Sequence, residues 1–145
     1  MRISDVLRGK TAPVVTVTPD TQVNQLLKVL GEHKIGAAVV SREGSTVDGI
    51  VSERDVVRAL AVRGAAVLTE PVSAIHTTEV FTVEPEADLA DIERVMTERR
   101  FRHVPVVVGG RLRGIVSIGD VVKKRIDELE SERSELTGYI TGDRY

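Results

Sequence analysis

The chain has 145 residues, of which 41% are hydrophobic, a size and composition that fit one globular domain or two very small ones. Its formal net charge of −2 and its 3% content of aromatic residues argue against nucleic-acid binding, which favours clustered basic side chains and stacking surfaces. Because the sequence contains no cysteine, disulfides, thiolate nucleophiles and cysteine-ligated zinc are excluded.

The sequence predicts no membrane segment. No stretch reaches about 18 consecutive apolar residues, the length that a membrane-spanning helix needs. The opening "MRIS" leads into no apolar core of a signal peptide. We therefore expect a cytoplasmic protein without a membrane partner.

The first predicted elements are a strand and a helix. The apolar run Val14–Val17 predicts a strand, which Pro19 ends. A helix follows that begins near Asp20 and Thr21, residue types that cap helices. Its apolar face recurs at helical spacing and consists of Val23, Leu26, Leu27 and Leu30.

A hairpin and a second helix complete the first half of the chain. The runs Ala37–Val40 and Val47–Val51 are rich in β-branched residues and are separated by a glycine-containing stretch, which predicts a β-hairpin. A helix is then predicted to begin at Ser52.

The second half predicts the same order of elements. A strand at Val80–Val83 precedes a helix capped at Asp88, and the hairpin strands are Val104–Val108 and Leu112–Val116. The last helix is predicted to begin at Ser117.

These halves are an internal repeat. "GIVSERDVV" at 49–57 and "GIVSIGDVV" at 114–122 agree at seven of nine positions, and "VVTVTPDTQV" aligns with "VFTVEPEADL" at an offset of 66. Upstream, "ISDVL" aligns with "VSAIH". The pattern predicts a mixed α/β (α+β) fold with two β-α-β-β-α units related by a pseudo-twofold axis. We expect repeat 1 at 1–66, repeat 2 at 67–124 and an extended C-terminal helical tail at 125–145.

The repeated Ser-x-x-Asp has two interpretations. It is a helix start, in which the serine caps an amide and the acid reaches back, as in a capping box. The same geometry also suits a nucleotide, because a helix N-terminus attracts phosphate and a carboxylate accepts two ribose hydroxyls. The motif alone does not decide between these interpretations.

The whole pattern resembles a pair of CBS (cystathionine-β-synthase-type) domains, a Bateman module, of the stand-alone bacterial type. The resemblance spans about Ile3 to Lys124 and depends on "TVTPDTQV", "GIVSERDVV", "FRHVPVV" and "GIVSIGDVV". It implies a disc-shaped regulatory module with two clefts for adenosyl ligands such as AMP, ADP, ATP, NAD(H) or S-adenosylmethionine.

The resemblance also implies site residues. Ser52 and Ser117 match the hydroxyl near phosphate or ribose, and Asp55 and Asp120 match the acid that binds ribose. The other nucleotide-binding positions that it implies are Thr11, Pro13, Val14, Ile35, Gly36, Ala37, Ile50, Arg54, Thr78, Val80, Phe101, Arg102, His103, Ile115 and Gly119.

We expect the two clefts to differ in charge preference. Arg102 and His103 stand where the first repeat has Gly36 and Ala37, so the cleft nearer to them should prefer more phosphate charge. In the second repeat Gly119 takes the place of Arg54, which adds to this asymmetry.

The helical pattern continues past the second repeat. Its apolar stripe consists of Val122, Ile126, Leu129, Leu136 and Ile140, with Arg133 in the same stripe. This is short for an independent coiled coil, so the helix must lie on its own module or on a partner chain. Because CBS pairs commonly dimerise, we expect a homodimer and a separate effector protein.

The function predicted is a signal-transduction module and not an enzyme. The sequence assembles no acid–base pair, nucleophile or metal cluster, so we expect no catalytic residue, metal or catalytic cofactor. Two alternatives stay open: a structural dimerisation module with empty clefts, and a small enzyme with an unrecognised site.

Overall fold

The computed structural model describes residues 1–10 and 13–141, with side chains through residue 138. After a short helix α1 (Ile3–Arg8), the first repeat consists of β1 (Thr16–Val17), α2 (Val23–His33), β2 (Ala37–Val40), β3 (Gly49–Ser52) and α3 (Glu53–Arg63). Strand β2 is central: it pairs in parallel with β1 and antiparallel with β3. Within the described residues, no helix is long and apolar enough to cross a membrane.

Two short 3₁₀ segments, Gly64–Thr69 and Val72–Ala74, lead into the second repeat. That repeat contains α4 (Leu89–Arg99), β4 (His103–Val108), β5 (Arg111–Ser117) and α5 (Ile118–Thr141). The β4–β5 hairpin turns at residues 109–110, where both glycines have positive φ, +57° and +79°. This is the backbone of a two-residue hairpin turn, which favours glycine.

The prediction of a strand at Val80–Val83 is wrong in extent. Only an isolated parallel bridge joins Val83 to Val106, with hydrogen bonds from Val83 N–H to Pro105 O and from Val107 N–H to Val83 O. Pro105 stands where the first repeat has Val39 and carries no N–H, so it cannot donate a further bond to the ladder. The corresponding β1 forms two bridges, at Thr16 and Val17, and is shorter than the predicted Val14–Val17.

The predicted cap of α2 is also wrong. The helix begins at Val23, and its N-cap residue Gln22 makes no side-chain cap bond. The hydroxyl of Thr21 instead accepts a hydrogen bond from the Thr18 amide, which stabilises the turn before the helix. In α4 the prediction is confirmed, because Asp88 accepts from the Ala90 amide.

Both predicted hairpins and both helix starts are confirmed. The strand predicted at Val47–Val51 begins two residues later, at Gly49. Helix α3 follows its cap Ser52, and α5 follows Ser117. Helix α5 continues through Gly138 without a break and is described as far as Thr141.

The segments that lead into the two repeats are exchanged in space. The Ile3 amide donates to Ala87 O at 2.9 Å, and the Ser4 amide donates to Pro85 O. The equivalent bonds of the second copy run from Val72 to Thr21 O at 2.7 Å and from Ser73 to Pro19 O. Each leading segment therefore docks on the other repeat, with the same bonds in both places, as expected for a pseudo-twofold axis.

Each repeat has its own hydrophobic core, and the exchange extends into both cores. Ile3 and Val6 of α1 are buried in the core of the second repeat. Val72, which follows the first repeat along the chain, is buried in the core of the first repeat. Burial of these apolar side chains stabilises the association of the two repeats, because each core is completed by a segment that belongs to the other repeat.

Candidate ligand-binding clefts

Two clefts flank the contact between the repeats, and the exchange of leading segments creates them. The chain that follows each leading segment runs from the repeat on which the segment docks back to its own repeat. On the way it passes the Gly-hydrophobic-hydrophobic-Ser-x-x-Asp motif of the repeat that it leaves. Each cleft therefore has one wall from a motif and a facing wall from the opening stretch of the other repeat. We name them the Asp120 cleft and the Asp55 cleft after the acid in each motif.

The Asp120 cleft has a volume of about 450 Å³. Its motif wall contains Ile115, Ser117 and Asp120, and its facing wall comes from the first repeat. The facing wall and the rim comprise Leu7, Lys10, Pro13, Val14, Val15, His33, Lys34, Ile35, Gly36, Ala37, His103, Arg113 and Gly114.

The Asp55 cleft has a volume of about 420 Å³ and is lined mainly by the second repeat opposite Ile50, Ser52 and Asp55. Thr77 holds the two walls together, because its backbone exchanges hydrogen bonds of 2.9 and 3.0 Å with that of Ile50. Phe81 and Phe101 stack in this cleft with their ring centroids 5.8 Å apart. The cleft therefore offers an apolar, partly aromatic surface next to a carboxylate.

Both repeated motifs form capping boxes. The Asp55 amide donates to Ser52 Oγ at 3.3 Å, and the Ser52 amide donates back to Asp55 Oδ2 at 2.9 Å. The corresponding bonds between Asp120 and Ser117 measure 3.1 and 2.9 Å. The cap uses only Oδ2, and Oδ1 of each acid accepts no hydrogen bond from the described part of the chain. Capping therefore leaves acceptor capacity on both acids.

Lys10 makes the two acids different. Its ammonium donates to Asp120 Oδ2 at 2.8 Å and to the carbonyl oxygen of Ile115 at 2.7 Å. Burial acts to raise the pKa of Asp120, but the hydrogen bond from Lys10, together with those from Ser117, lowers it on balance. Asp120 is thus held as a carboxylate inside its cleft.

His103 lies between the clefts and lines both. It faces Gly36 of the other repeat, where a Cβ would stand 3.5 Å from His103 Cε1. Burial lowers the pKa of His103, and the positive charges of Lys10 and Arg102 lower it further against the opposing effect of Asp120 and Glu53. His103 is therefore held toward its neutral form at the point where the two sites meet.

Arginine side chains are concentrated in the Asp55 cleft. Its lining contains five arginines, namely Arg54, Arg58, Arg99, Arg100 and Arg102, together with three acids, Glu53, Asp55 and Glu79. The cations that line the Asp120 cleft are Lys10, Lys34 and Arg113, and the first of these is paired with Asp120. Guanidinium groups bind phosphate oxygens through paired N–H donors, and the Asp55 cleft is lined by more of these groups than the Asp120 cleft.

Most residues implied by the resemblance line these clefts. Thr78 and Gly119 do not line them, although Thr77 and Glu79 beside Thr78 do. Thr11 lies outside the described residues. All other predicted positions line one cleft or both.

Sequence reasoning missed several cleft residues. Arg58 lies one helical turn after Arg54, and that spacing places both on one face of α3. Arg99 and Arg100 directly precede "FRH" and were open to interpretation as a solvated helix end. Lys10 carries no local signal, because its partner Asp120 is 110 residues away in the sequence. Within the described residues, no cluster of three or more His, Asp or Glu side chains could hold a metal ion.

Comparison with known proteins agrees with this architecture. The family model of the CBS domain matches the chain twice, at residues 3–62 and 72–127. A mitochondrial CBS domain-containing protein of Arabidopsis thaliana is 36% identical over 148 residues, covering 97% of this chain and 72% of that protein.

Solved structures agree as well. A CBS-domain containing protein of Agrobacterium tumefaciens superposes with a TM-score of 0.82 at 45% identity, over 86% of this chain and 99% of that one. A CBS domain protein of Pyrobaculum aerophilum, solved in complex with AMP, has a TM-score of 0.73 at 28% identity, over 83% of this chain and 89% of that one.

Proposed function

The chain belongs to the CBS domain family, and on that premise we propose that it is a regulatory module that binds an adenosyl ligand in the clefts between its repeats. The observation that carries the proposal is the arrangement of both clefts. In each, an isoleucine, a serine and an aspartate of one repeat face the opening stretch of the other. The ligand classes that we propose are AMP, ADP, ATP and NAD(H), with S-adenosylmethionine as a further member.

The size and chemistry of the clefts fit such a ligand. Small-molecule sites usually occupy about 300–1,000 Å³, and both clefts lie in that range. Ile50 and Ile115 supply apolar surface for the base. The aspartates supply carboxylate oxygen for ribose hydroxyls, and the capping boxes already hold them in place.

We propose that phosphate binds at the start of α3, in the Asp55 cleft. Two of the amides at the start of α3 are used within the chain, since Glu53 N–H donates to Gly36 O and Asp55 N–H to Ser52 Oγ. The amide of Arg54, the second residue of α3, is the one we assign to a phosphate oxygen, because Arg54 lines the Asp55 cleft. The AMP complex of the Pyrobaculum relative supports a ligand of this class.

The clefts should not prefer the same ligand. The arginines at 54, 58, 99, 100 and 102 favour di- and triphosphates in the Asp55 cleft. The Asp120 cleft, with fewer cations, suits a ligand of lower charge. This proposal refines the expected asymmetry by adding Arg58, Arg99 and Arg100 to Arg102.

The alternatives explain fewer observations. A purely structural module accounts for the serines and aspartates as helix caps, but it gives no role to the clustered arginines. An enzyme that used Ser52 as its nucleophile would need a base to activate that hydroxyl. Ser52 Oγ instead donates to Asp55 Oδ2 at 3.2 Å and accepts from the Asp55 amide, as a cap does. A regulatory binding module is therefore the better interpretation.

We also propose that the module forms a homodimer through α3 and α5. Val57 and Val122 occupy the same position in the two repeats, and their side chains are 64% and 49% exposed. Along α5 the stripe continues with Ile126, Leu129 and Leu136, all about half exposed or more. An exposed apolar stripe of this kind, here interrupted by Arg133, is typical of an interaction site. Ile140 of the predicted stripe lies beyond the described side chains.

The experiment that tests the proposed function is a melting-temperature panel with AMP, ADP, ATP, NAD(H) and S-adenosylmethionine, followed by mass spectrometry of whatever co-purifies. A ligand that binds only the native state raises the melting temperature with the logarithm of its concentration. We expect such a rise for at least one of these adenosyl ligands. Flat melting curves with all of them, together with no co-purifying nucleotide, would refute the proposal.

A further inference from the structure

Lys10 occupies the functional atoms of one cleft. Its ammonium is bonded both to the Asp120 carboxylate and to the Ile115 carbonyl oxygen, at 2.8 and 2.7 Å. Under the proposed function these two residues serve the ribose and the base. Lys10 therefore sits on the polar edge that an adenosyl ligand needs in the Asp120 cleft.

The Asp55 cleft has no such occupant. His76, which matches Leu7 in the alignment of the leading segments, has its ring against Gly49 rather than against Asp55. The Ile50 carbonyl accepts a backbone N–H, that of Thr77, at 2.9 Å. In the part of the chain that the structure describes, Asp55 forms no salt bridge and bonds only to Ser52. The two clefts thus differ in whether their acid is already paired with a cation.

A lysine ammonium is a donor with no acceptor, so on Asp120 it competes with ribose hydroxyls, which are donors as well. A ribose that takes both carboxylate oxygens must displace Lys10 from Oδ2. The pair is breakable, because both side chains are partly exposed, 34% for Lys10 and 27% for Asp120. Lys10 therefore weakens binding in its cleft without abolishing it.

We propose that Lys10 is a specificity-determining residue that acts as an internal competitor in the Asp120 cleft and directs the first adenosyl ligand to the Asp55 cleft. The inference rests on the proposed function, because it presumes that the Asp120 carboxylate binds ribose. Filling of the clefts is then ordered: the Asp55 cleft fills first, and the Asp120 cleft fills when ligand is abundant. Because salt screens partly exposed ion pairs, higher ionic strength should reduce the difference in ligand affinity between the two clefts.

The test isolates each cleft in the full-length chain and uses AMP as the probe. Asp55→Asn leaves the Asp120 cleft as the competent site, and Asp120→Asn leaves the Asp55 cleft. Lys10→Met is introduced into both backgrounds, and calorimetry measures the AMP dissociation constant. Lys124→Met is the matched control, since Lys124 lies beside Gly9 and lines neither cleft. Lys10→Arg keeps the cation and separates the effect of the charge from that of an altered side chain.

In the Asp55→Asn background, Lys10→Met should tighten AMP binding by roughly 2- to 10-fold, a range set by the loss of a partly exposed ion pair and a charge-assisted hydrogen bond. Lys10→Arg should leave AMP binding weak in that background. In the Asp120→Asn background, Lys10→Met should have no effect.

Other results overturn the inference and separate it from the proposed function. Weaker AMP binding after Lys10→Met in the Asp55→Asn chain would make Lys10 a phosphate-binding residue. Two equal AMP sites in the unaltered chain would show that Lys10 does not direct binding. Both outcomes leave the proposed function standing. If neither the unaltered chain nor any variant bound AMP or the other adenosyl ligands, the proposed function would fail and the inference with it.

Discussion

A Cβ atom on Gly49 would stand 2.9 Å from the carbonyl oxygen of Thr77, a backbone atom of the other repeat that cannot rotate away. A Cβ on Gly114, the equivalent glycine, would stand 2.6 Å from Cδ2 of Leu7, the far end of a flexible side chain. The repeated motif therefore begins with glycine for a steric reason that is stronger in one copy. That difference gives a matched pair of variants.

Gly49→Ala should destabilise the protein by about 1–3 kcal/mol, the range of overpacking in a tight site, because Thr77 must move and its bonds to Ile50 are strained. Gly114→Ala should have a smaller effect, because Leu7 can change rotamer. Urea denaturation of the two variants measures both losses. Equal losses would show that the Thr77 backbone yields as easily as a side chain.

The charge preference of the Asp55 cleft is tested by Arg102→Ala. We expect binding of ATP to weaken by roughly tenfold, the lower end for a hydrogen bond to a charged group, because the Arg102 side chain is exposed. Adenosine, which has no phosphate, should bind nearly as before. Arg111→Ala removes the same charge from an exposed position that lines neither cleft and serves as the control. If adenosine and ATP weakened equally, Arg102 would act on the base or on folding.

Stability should depend on pH through His103. Its folded-state pKa is lowered, chiefly by burial, below the ordinary value of about 6.5. The unfolded chain therefore binds more protons between the folded pKa and about 6.5, so the free energy of unfolding falls as the pH falls through that window. Above about 6.5 the contribution is constant.

The measurement is the melting temperature of the unaltered chain, of His103→Gln and of the control His33→Gln between about pH 5 and 8, the range in which histidine titrates. The fall in melting temperature below about pH 6.5 should be smaller in His103→Gln than in the unaltered chain, and it should persist in His33→Gln. An unchanged pH profile in His103→Gln would contradict the pKa direction.

The proposed dimer is tested on α5. The double change Ile126→Glu with Leu129→Glu places charges on the exposed apolar stripe and should convert a dimer to a monomer in sedimentation velocity, without lowering the melting temperature of the monomeric module. Val108→Glu alters an exposed apolar residue at the β4–β5 turn and should leave the dimer intact. An unaltered chain that sedimented as a monomer would exclude the dimer.

The internal repeat made most of the fold predictable. Ser52 and Ser117 mark both helix starts because local hydrogen bonds determine a capping box, and the hairpins follow from local periodicity. The length of the strand predicted at Val80–Val83 was overestimated. Its hydrogen bonds are limited by Pro105, which lies more than 20 residues away in the sequence. The prediction of the α2 cap was wrong because three polar residues, Asp20, Thr21 and Gln22, precede that helix, and only packing determines which of them precedes its first turn.

The site was predictable where it depends on the repeated motif, and not where it depends on the exchange of segments. Asp55 and Asp120 could be named from the sequence because both copies keep them. The ion pair between Lys10 and Asp120 could not, since it forms only after α1 docks on the second repeat. For the same reason the pairing of walls within each cleft required the three-dimensional structure.

The central claim, that Asp55 and Asp120 hold an adenosyl ligand, is tested most directly by titrating AMP into the unaltered chain and into the double variant Asp55→Asn with Asp120→Asn. Asparagine keeps the shape of the side chain and loses its charge. We expect AMP affinity to fall by roughly 10- to 150-fold, the value of hydrogen bonds to a charged group, while the ligand-free protein loses only about 1 kcal/mol as a weakened helix cap. Unchanged AMP affinity with a lowered ligand-free melting temperature would contradict the claim and leave both aspartates as helix caps.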